Sequence, residues 1–372
     1  MSNRRSYLQG VISAHVTPSQ SFATISGEPR SPTGLNSATL TVAGDDITEY
    51  QYRLNGGPFS NSAFVTTPIQ LSDLPEGSTN QVSVRGRNSA GVWQSNDRLT
   101  ESRTWIVQAD TPTIRINEVL ARNDSAVEHF GTYPDMIELY NESLTAVDVS
   151  GMRVTDRQDN PDKYVIPNGT VMAGQTYLIL LANSDDGTPG LHTGFSLEQD
   201  GDEIYLLDSP ANGGQLVDSI EFGHQLADQA AGRMASNGKW FLTNPTLGTI
   251  NVVQATGPID MLRINEWLAL GDTSAADDFV EVFNPTGEIV DMAGMFLTDK
   301  PIGNARMHTF RDATFVGASG FVSFKVDGSR KAGHVDFKLP SAQGHIALLD
   351  HWLSTIDHVT YGPQTMGISQ GY

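Results

Sequence analysis

The sequence predicts an all-β chain, a tandem of three β-sandwiches, on three observations. Short apolar–polar alternating runs, punctuated by Gly, Asn and Pro, recur from end to end with no helical period. One stretch is written twice: Ile114–Asn141 (IRINEVLARNDSAVEHFGTYPDMIELYN) returns as Leu262–Asn284 (LRINEWLALGDTSAADDFVEVFN). The length, 372 residues, suits about three domains of roughly 100–150 residues. The expected units are an N-terminal extension at 1–15, a first sandwich at 16–109, a second at 113–251 and a third, shortened at its C-terminus, at 261–372.

Composition narrows the function classes. With no cysteine, disulfides, thiolate metal sites and thiol nucleophiles are excluded. Asp and Glu number 43 against 23 Lys and Arg, a net charge of −20 that repels a phosphate backbone, so no nucleic-acid partner is expected. The longest apolar run, Tyr177–Ala182, is strand-length, far below the ~20 residues of a membrane helix, so no membrane insertion is expected. The N-terminus has basic residues but no apolar core or cleavage site, so it is not read as a signal peptide. Arg4–Val11 is assigned no role, and an end inside a repeat suggests a piece of a longer chain.

In the first sandwich Ala38–Val42 alternates, and Tyr50–Leu54 alternates into Asn55-Gly56-Gly57. Asn-Gly after an alternating run signals a hairpin, because both residues tolerate positive φ. Ile69–Leu71, then Gln81–Arg87 with Val82 and Val84 inward, then Val92-Trp93 complete about seven strands, the count of a sandwich. The series YQYRLNGGPF, IQLSDLPEG and VSVRGRNSAGVWQ resembles immunoglobulin-like and fibronectin-type-III-like modules of large bacterial surface proteins. It departs from the type III pattern where Ser78–Gln81 stand in place of an expected tyrosine.

Asp110-Thr111-Pro112 reads as the linker into the repeats. Beyond the opening pair, Val147–Asp156 is answered by Val290–Asp299, and the apolar Thr176–Leu181 by Gly320–Val326. Leu191–Leu197 is answered by Gly333–Leu339, Ile204–Asp208 by Ile346–Asp350, and Val217–Gly223 by Ile356–Gly362. Ile116 and Ile264 lie 148 residues apart, one sandwich plus a short linker. The order INE, D-x-IELYN, D-x-S-G-M, H-x-x-F-x-L, V-D-x-I-x-F-G and NPTLGTIN resembles the lamin tail domain. That resemblance implies immunoglobulin-like sandwiches, found in nuclear lamins and in bacterial secreted and surface proteins, there as accessory modules beside enzymatic domains. The first copy keeps Gly232-Arg233 and Trp240. The second stops at Ser369–Tyr372, where the family would continue with an arginine and a final strand.

Glu118 with Glu138, and Glu266 with Glu281, are carboxylate pairs, but recurrence at the same place in both repeats points to folding. Asp156, Asp159 and Asp162 form one acidic loop cluster, and Asp200 and Asp202 with Glu203 another. Asp45-Asp46, Asp185-Asp186 and Asp277-Asp278 are similar. Calcium takes six to eight oxygens, so it is the one cation these loops would suit, although none has the EF-hand spacing; otherwise no cofactor is expected. His192 and His334 match between repeats, whereas His345, His351 and His358 are unmatched and lack zinc spacing. No nucleophile elbow, P-loop or dinucleotide fingerprint occurs. Trp93, Trp105, Trp240, Trp267 and Trp352 would be a sugar-stacking platform only if exposed. The expected protein is therefore not an enzyme but an extracellular or cell-surface bacterial module with a protein or polysaccharide partner. The alternative is a carbohydrate- or matrix-binding module, possible with calcium.

Overall fold

A computed structural model describes residues 22–29, 31–44, 46–96, 98–109, 113–184, 187–234, 238–271 and 277–372. The expectations for 1–15, Asp45, Asp110–Pro112 and Asp185-Asp186 lie outside them. The chain forms two compact units, Met1–Pro112 with Ala235–Lys239, and Thr113–Met234 with Trp240–Tyr372. Its architecture is all-β, and no helix of the described residues is long and apolar enough to cross a membrane.

The first unit contains β1 (Thr24–Ser26), β2 (Ala38–Ala43), β3 (Ile47–Leu54), β4 (Ala63–Phe64), β5 (Ile69–Leu71), β6 (Thr79–Asn80), β7 (Val82–Asn88), β8 (Thr100–Glu101) and β9 (Trp105–Ile106). One sheet runs β1-β2-β5, another β4-β3-β7-β8, and β6 pairs with β9. Strand β2 buries every second residue, as its alternation predicts, and Leu40, Tyr50, Ile69, Val84 and Trp105 fill the core. Asn55 and Gly56 both adopt positive φ, and Gly57 N–H closes the turn onto Leu54 O at 2.9 Å. The turn forms, yet the returning strand β4 is only two residues long. Val92-Trp93 makes no strand: Trp93 contributes an isolated bridge to Arg87.

The second unit holds two sandwiches of matching order. The earlier one comprises β10 (Ile114–Leu120), β11 (Asp135–Asn141), β12 (Val147–Asp148), β13 (Arg153–Thr155), β14 (Tyr164–Val165), β15 (Val171–Met172), β16 (Tyr177–Ala182), β17 (Asp202–Leu207), β18 (Leu216–Phe222), β19 (Ala230–Arg233) and β20 (Trp240–Thr243). The later one comprises β21 (Arg263–Leu268), β22 (Phe279–Phe283), β23 (Val290–Asp291), β24 (Phe296–Thr298), β25 (His308–Thr309), β26 (Phe315–Val316), β27 (Phe321–Lys325), β28 (Gly344–Leu349), β29 (Thr355–Tyr361) and β30 (Gln370–Gly371). We call them the second and third sandwiches.

In the second, the sheets run β16-β11-β10-β19-β20, β14-β13-β17-β18 and β12-β15. In the third they run β27-β22-β21-β30, β25-β24-β28-β29 and β23-β26, the same order as far as the described residues reach. Even the irregularity recurs: β10 shifts register between Ile116 and Glu118, and β21 between Ile264 and Glu266. The Leu191–Leu197 and Gly333–Leu339 segments, which match in sequence, are not strands. They lie against the sheet through the parallel bridges Leu181–His192 and Lys325–His334.

The two sandwiches are joined. Phe222 and Asp312 form a parallel bridge, and Gln225 Nε2 donates to Ala313 O at 2.6 Å. Ala313 and Phe315 of the third enter the apolar core of the second, beside Phe222. Gly223 is needed here, since a Cβ would stand 2.0 Å from Thr314 Oγ1, whereas the matching Gly362 faces open space.

Candidate functional site

The polar residues that recur between the repeats form bonds inside the sandwiches. Asn141 is fully buried; its Nδ2 donates to Thr145 O, Met172 O and Ala173 O at 2.9, 3.2 and 3.0 Å. Asn284, equally buried, donates to Glu288 O, Val316 O and Gly317 O at 2.7, 3.3 and 2.9 Å. Each amide thus bonds three backbone carbonyls, two in loops and one at the end of a short strand. Asp218 Oδ2 accepts from Ile116 N–H at 2.8 Å, and Asp357 Oδ2 from Ile264 N–H at 2.9 Å. The glutamate pairs stand directly across β10/β11 and β21/β22.

In the second sandwich both glutamates are wholly buried. Glu118 accepts Thr246 N–H at 2.7 Å and Thr246 Oγ1–H at 2.8 Å. Glu138 accepts Asn117 Nδ2 at 2.7 Å and the Gly248 N–H. Burial pushes Glu138 up to about 7, opposed by these donors and reinforced by the Glu118 charge. Burial raises Glu118 as well. Both carboxylates are thus held by donors within the sandwich.

The acidic loops separate into pairs. Asp156 meets Lys163, Asp159 meets Arg157 at 2.7 Å, and Asp162 meets Arg153 at 3.0 Å. Asp200 contacts His224 Nδ1 at 3.2 Å. Asp202 accepts the Glu198 and Glu203 N–H groups at 3.2 and 2.9 Å, and burial lifts it to about 6. Among the described residues no three His, Asp or Glu side chains converge as a metal cage. The sequence puts Asp156, Asp159 and Asp162 three apart, but each turns to its own cation.

His192 hydrogen-bonds Asn183 Oδ1 at 2.8 Å, and the matching His334 meets Asp327 at 2.8 Å. The unmatched histidines do not assemble either: His345 bonds Thr360 Oγ1 at 2.9 Å, and His351 bonds Ala293 O at 2.8 Å. Trp105, Trp240 and Trp267 are buried. Trp93 lies between the guanidinium groups of Arg85 and Arg87, and Trp352 alone projects, 61 % exposed.

Two aromatic pairs at the sheet surface lie elsewhere, half-buried except for the exposed Phe321. Tyr140 on β11 and Tyr177 on β16 face one another across the sheet, ring centroids 4.8 Å apart. They line an open groove of ≈ 640 Å³ with Gln175, Thr249 and Ile250. Arg115 lies over Tyr140 and pairs with Glu142 at 2.6 Å. Phe283 and Phe321 occupy the matching place in the third sandwich, stacked at 4.5 Å. Attention to tryptophan missed them, although an aromatic stands before Asn141 and before Asn284, and another opens each following apolar strand.

A second open cleft, ≈ 740 Å³, lies where the two joined sandwiches meet, lined by Asp156, Asp159, Glu203, Glu221, Tyr205 and Arg311 among others. Arg311 pairs with Glu203 at 3.1 Å and Glu221 at 3.7 Å. Tyr205 O–H donates to Glu203 at 2.6 Å, and burial pushes the phenol up to about 12. Each of these carboxylates is paired with a cation or a phenol.

The family model described as Lamin Tail Domain matches residues 107–224, a minority of the chain that ends before β19. Its match starts six residues before the expected 113 and stops short of the expected 251. No curated protein matches the chain. Among solved structures, one similar chain is the Bacteroides ovatus mixed-linkage glucan utilization locus SGBP-B in complex with a mixed-linkage heptasaccharide. The identity is 12 %, over 92 % of this chain and 65 % of that one, with a TM-score of 0.15. Another is a DUF4876 family protein from Bacteroides thetaiotaomicron, with 10 % identity, 88 % and 86 % coverage and a TM-score of 0.14. Scores of this size establish no shared overall arrangement. The fold defines an all-β protein of immunoglobulin-like sandwiches, with a lamin-tail match in the second.

Proposed function

We propose that the chain is a non-catalytic interaction module of a bacterial secreted or cell-surface protein. On this reading an immunoglobulin- or fibronectin-like sandwich precedes two lamin-tail-like ones. One observation carries it: the polar residues that recur between the repeats bond to backbone and neighbouring side chains within each sandwich, from Asn141 and Asn284 to Asp218 and Asp357. Conserving a fold needs such groups; a reaction needs them uncommitted. The test is turnover of chromogenic glycoside, phosphate-ester and peptide substrates. None should exceed background, and turnover that Glu203→Gln abolishes would overturn the reading.

The Tyr140–Tyr177 pair favours a second reading, a polysaccharide-binding module. Tilted tyrosines offer apolar faces to sugar C–H groups, and Gln175 and Thr249 stand beside them as hydrogen-bonding partners. Affinity electrophoresis through gels of soluble polysaccharide tests this. Retardation that Tyr177→Ala removes supports it, and unretarded migration through every gel sinks it.

A further inference from the structure

The outer face of the first sandwich carries a row of alternating arginine and aromatic side chains. Tyr50, Val82 and Val84 point into the core, so strand alternation turns Gln51, Arg53, Arg85 and Arg87 outward from β3 and β7. The register sets Gln51 opposite Arg85 and Glu49 opposite Arg87. Two rings are then folded over them. After the Asn55-Gly56-Gly57 turn, Ser60 N–H meets Tyr52 O at 2.7 Å and brings Phe59 onto the face, while the bridge to Arg87 brings Trp93. Arg53 and Arg85 lie 5.2 and 4.5 Å from the Phe59 centroid. Arg85 and Arg87 lie 5.3 and 5.7 Å from that of Trp93.

The three arginines differ in what they already hold. Arg87 pairs with Glu49 at 3.3 Å and donates from Nε to Gly91 O at 3.1 Å. Among the described residues Arg85 meets neutral amides alone. Its Nε and Nη2 donate to Gln51 Oε1 at 2.9 and 2.6 Å, and its Nη1 to Asn96 Oδ1 at 2.9 Å. Each terminal nitrogen carries a second N–H outside these bonds, an end-on fork that fits a carboxylate or a sulfate. Arg53 has neither a carboxylate nor an amide partner among the described residues, and its Nε is shielded from solvent without an acceptor. Stacking occupies the face of a guanidinium, whereas its N–H groups lie in the plane, so the rings steady these side chains and leave donors available. A donor row fixed in advance binds without the ordering cost of a mobile arginine.

We propose that Arg53 and Arg85 bind the carboxylate or sulfate groups of an acidic polysaccharide laid across the outer face of β3 and β7. A peptide added as a strand finds no edge here, because β3 lies between β4 and β7, and β7 between β3 and β8. The ligand is therefore held by its charges and not by a paired backbone. A nucleic acid, with a charge about every 1.7 Å, is repelled by the chain's net charge of −20. A sparsely charged sugar chain engages the arginine row locally, since charges beyond about 8 Å are screened at physiological salt. These residues share nothing with the tyrosine groove, and binding here needs no neutral sugar there.

Calorimetry on the intact chain in EDTA tests this, with oligogalacturonate, its neutral methyl ester and a sulfated dextran oligomer as probes. Saturable binding of an acidic probe is expected, absent for the methyl ester and weakened by added salt. The acidic probe that binds more tightly names the anion. Arg53→Gln should weaken binding at least about tenfold, and it strands no described partner, so the fold should survive it. Arg85→Lys should weaken binding too, because a point charge replaces the fork. Tyr177→Ala should leave it unchanged, and loss of binding in that variant would overturn the proposal by placing the acidic sugar in the groove. No binding of either acidic probe up to about 1 mM overturns it as well. So does unchanged affinity in Arg53→Gln, or equal binding of the methyl ester. Poly-glutamate bound as tightly as the acidic sugars would overturn it in favour of an acidic peptide.

Discussion

The second and third sandwiches share strand order, bulge position and the buried asparagine, yet they treat the same aspartate differently. Asp218 accepts Ile116 N–H and also holds Arg233 at 2.7 and 3.2 Å, with both side chains nearly buried. Asp357 accepts Ile264 N–H, but Tyr372 stands in the register position of Arg233. The glutamate pairs diverge likewise, sealed in one sandwich and half-open in the other. The same strand order thus carries different polar partners around its carboxylates.

The largest expected contrast is at the aspartates. Asp218→Ala strands a buried arginine and should cost about 3–5 kcal/mol, against about 1 kcal/mol for Asp357→Ala. Hydrogen exchange at the Ile116 and Ile264 amides reads each sandwich separately, and equal losses would break the comparison. Next come the asparagines, where the sandwiches agree. Asn141→Ala and Asn284→Ala should each destabilise by about 2–3 kcal/mol, since each strands several loop carbonyls. Values differing by more than about 1 kcal/mol would show that the shared bonds are unequal in weight.

Smaller again, Glu138→Ala should cost about 1–3 kcal/mol by leaving Asn117 and Gly248 unpaired, and Glu281→Ala under about 1 kcal/mol. Urea midpoints of the single variants decide this.

The pH dependence sharpens the same contrast. A carboxyl group raised to about 7 in the folded state binds its proton more tightly folded than unfolded. The cost of its charge is therefore fully present above about pH 7 and is relieved as pH falls towards the unfolded value. The second sandwich should melt a few degrees higher at pH 5.5 than at pH 8, and Glu138→Gln should flatten that difference. Asp291 of the third, raised to about 6 by burial, should add a response at lower pH. The smallest effect concerns calcium. With Asp156, Asp159 and Asp162 held by Lys163, Arg157 and Arg153, melting in EDTA and in millimolar calcium should agree within about 1 °C. A rise of several degrees would mean that calcium displaces those cations.

Much of this was legible in the sequence. The period-2 runs and turn residues determined the strands, because alternation reports one buried face directly. The two INE-to-Y/F-N passages determined that the architecture repeats; the shared bulge after Ile116 and Ile264 came only with the structure. Recurrence also marked Glu138 and Glu281 as structural, since polar groups repeated within strands serve the fold. Tertiary structure alone decided the rest. Leu191–Leu197 and Gly333–Leu339 match in sequence, but that they lean on a neighbouring strand through one bridge each is a matter of which edges the fold leaves free. Asp156, Asp159 and Asp162 look like a cage but face separate partners, because spacing along a loop does not set direction. Tyr140 and Tyr177 are 37 residues apart in the chain and touch only through the β11–β16 register. The cap over Glu118 was equally hidden, because what bonds a carboxylate is set by the chain that returns to it, and Thr246 lies 128 residues beyond Glu118.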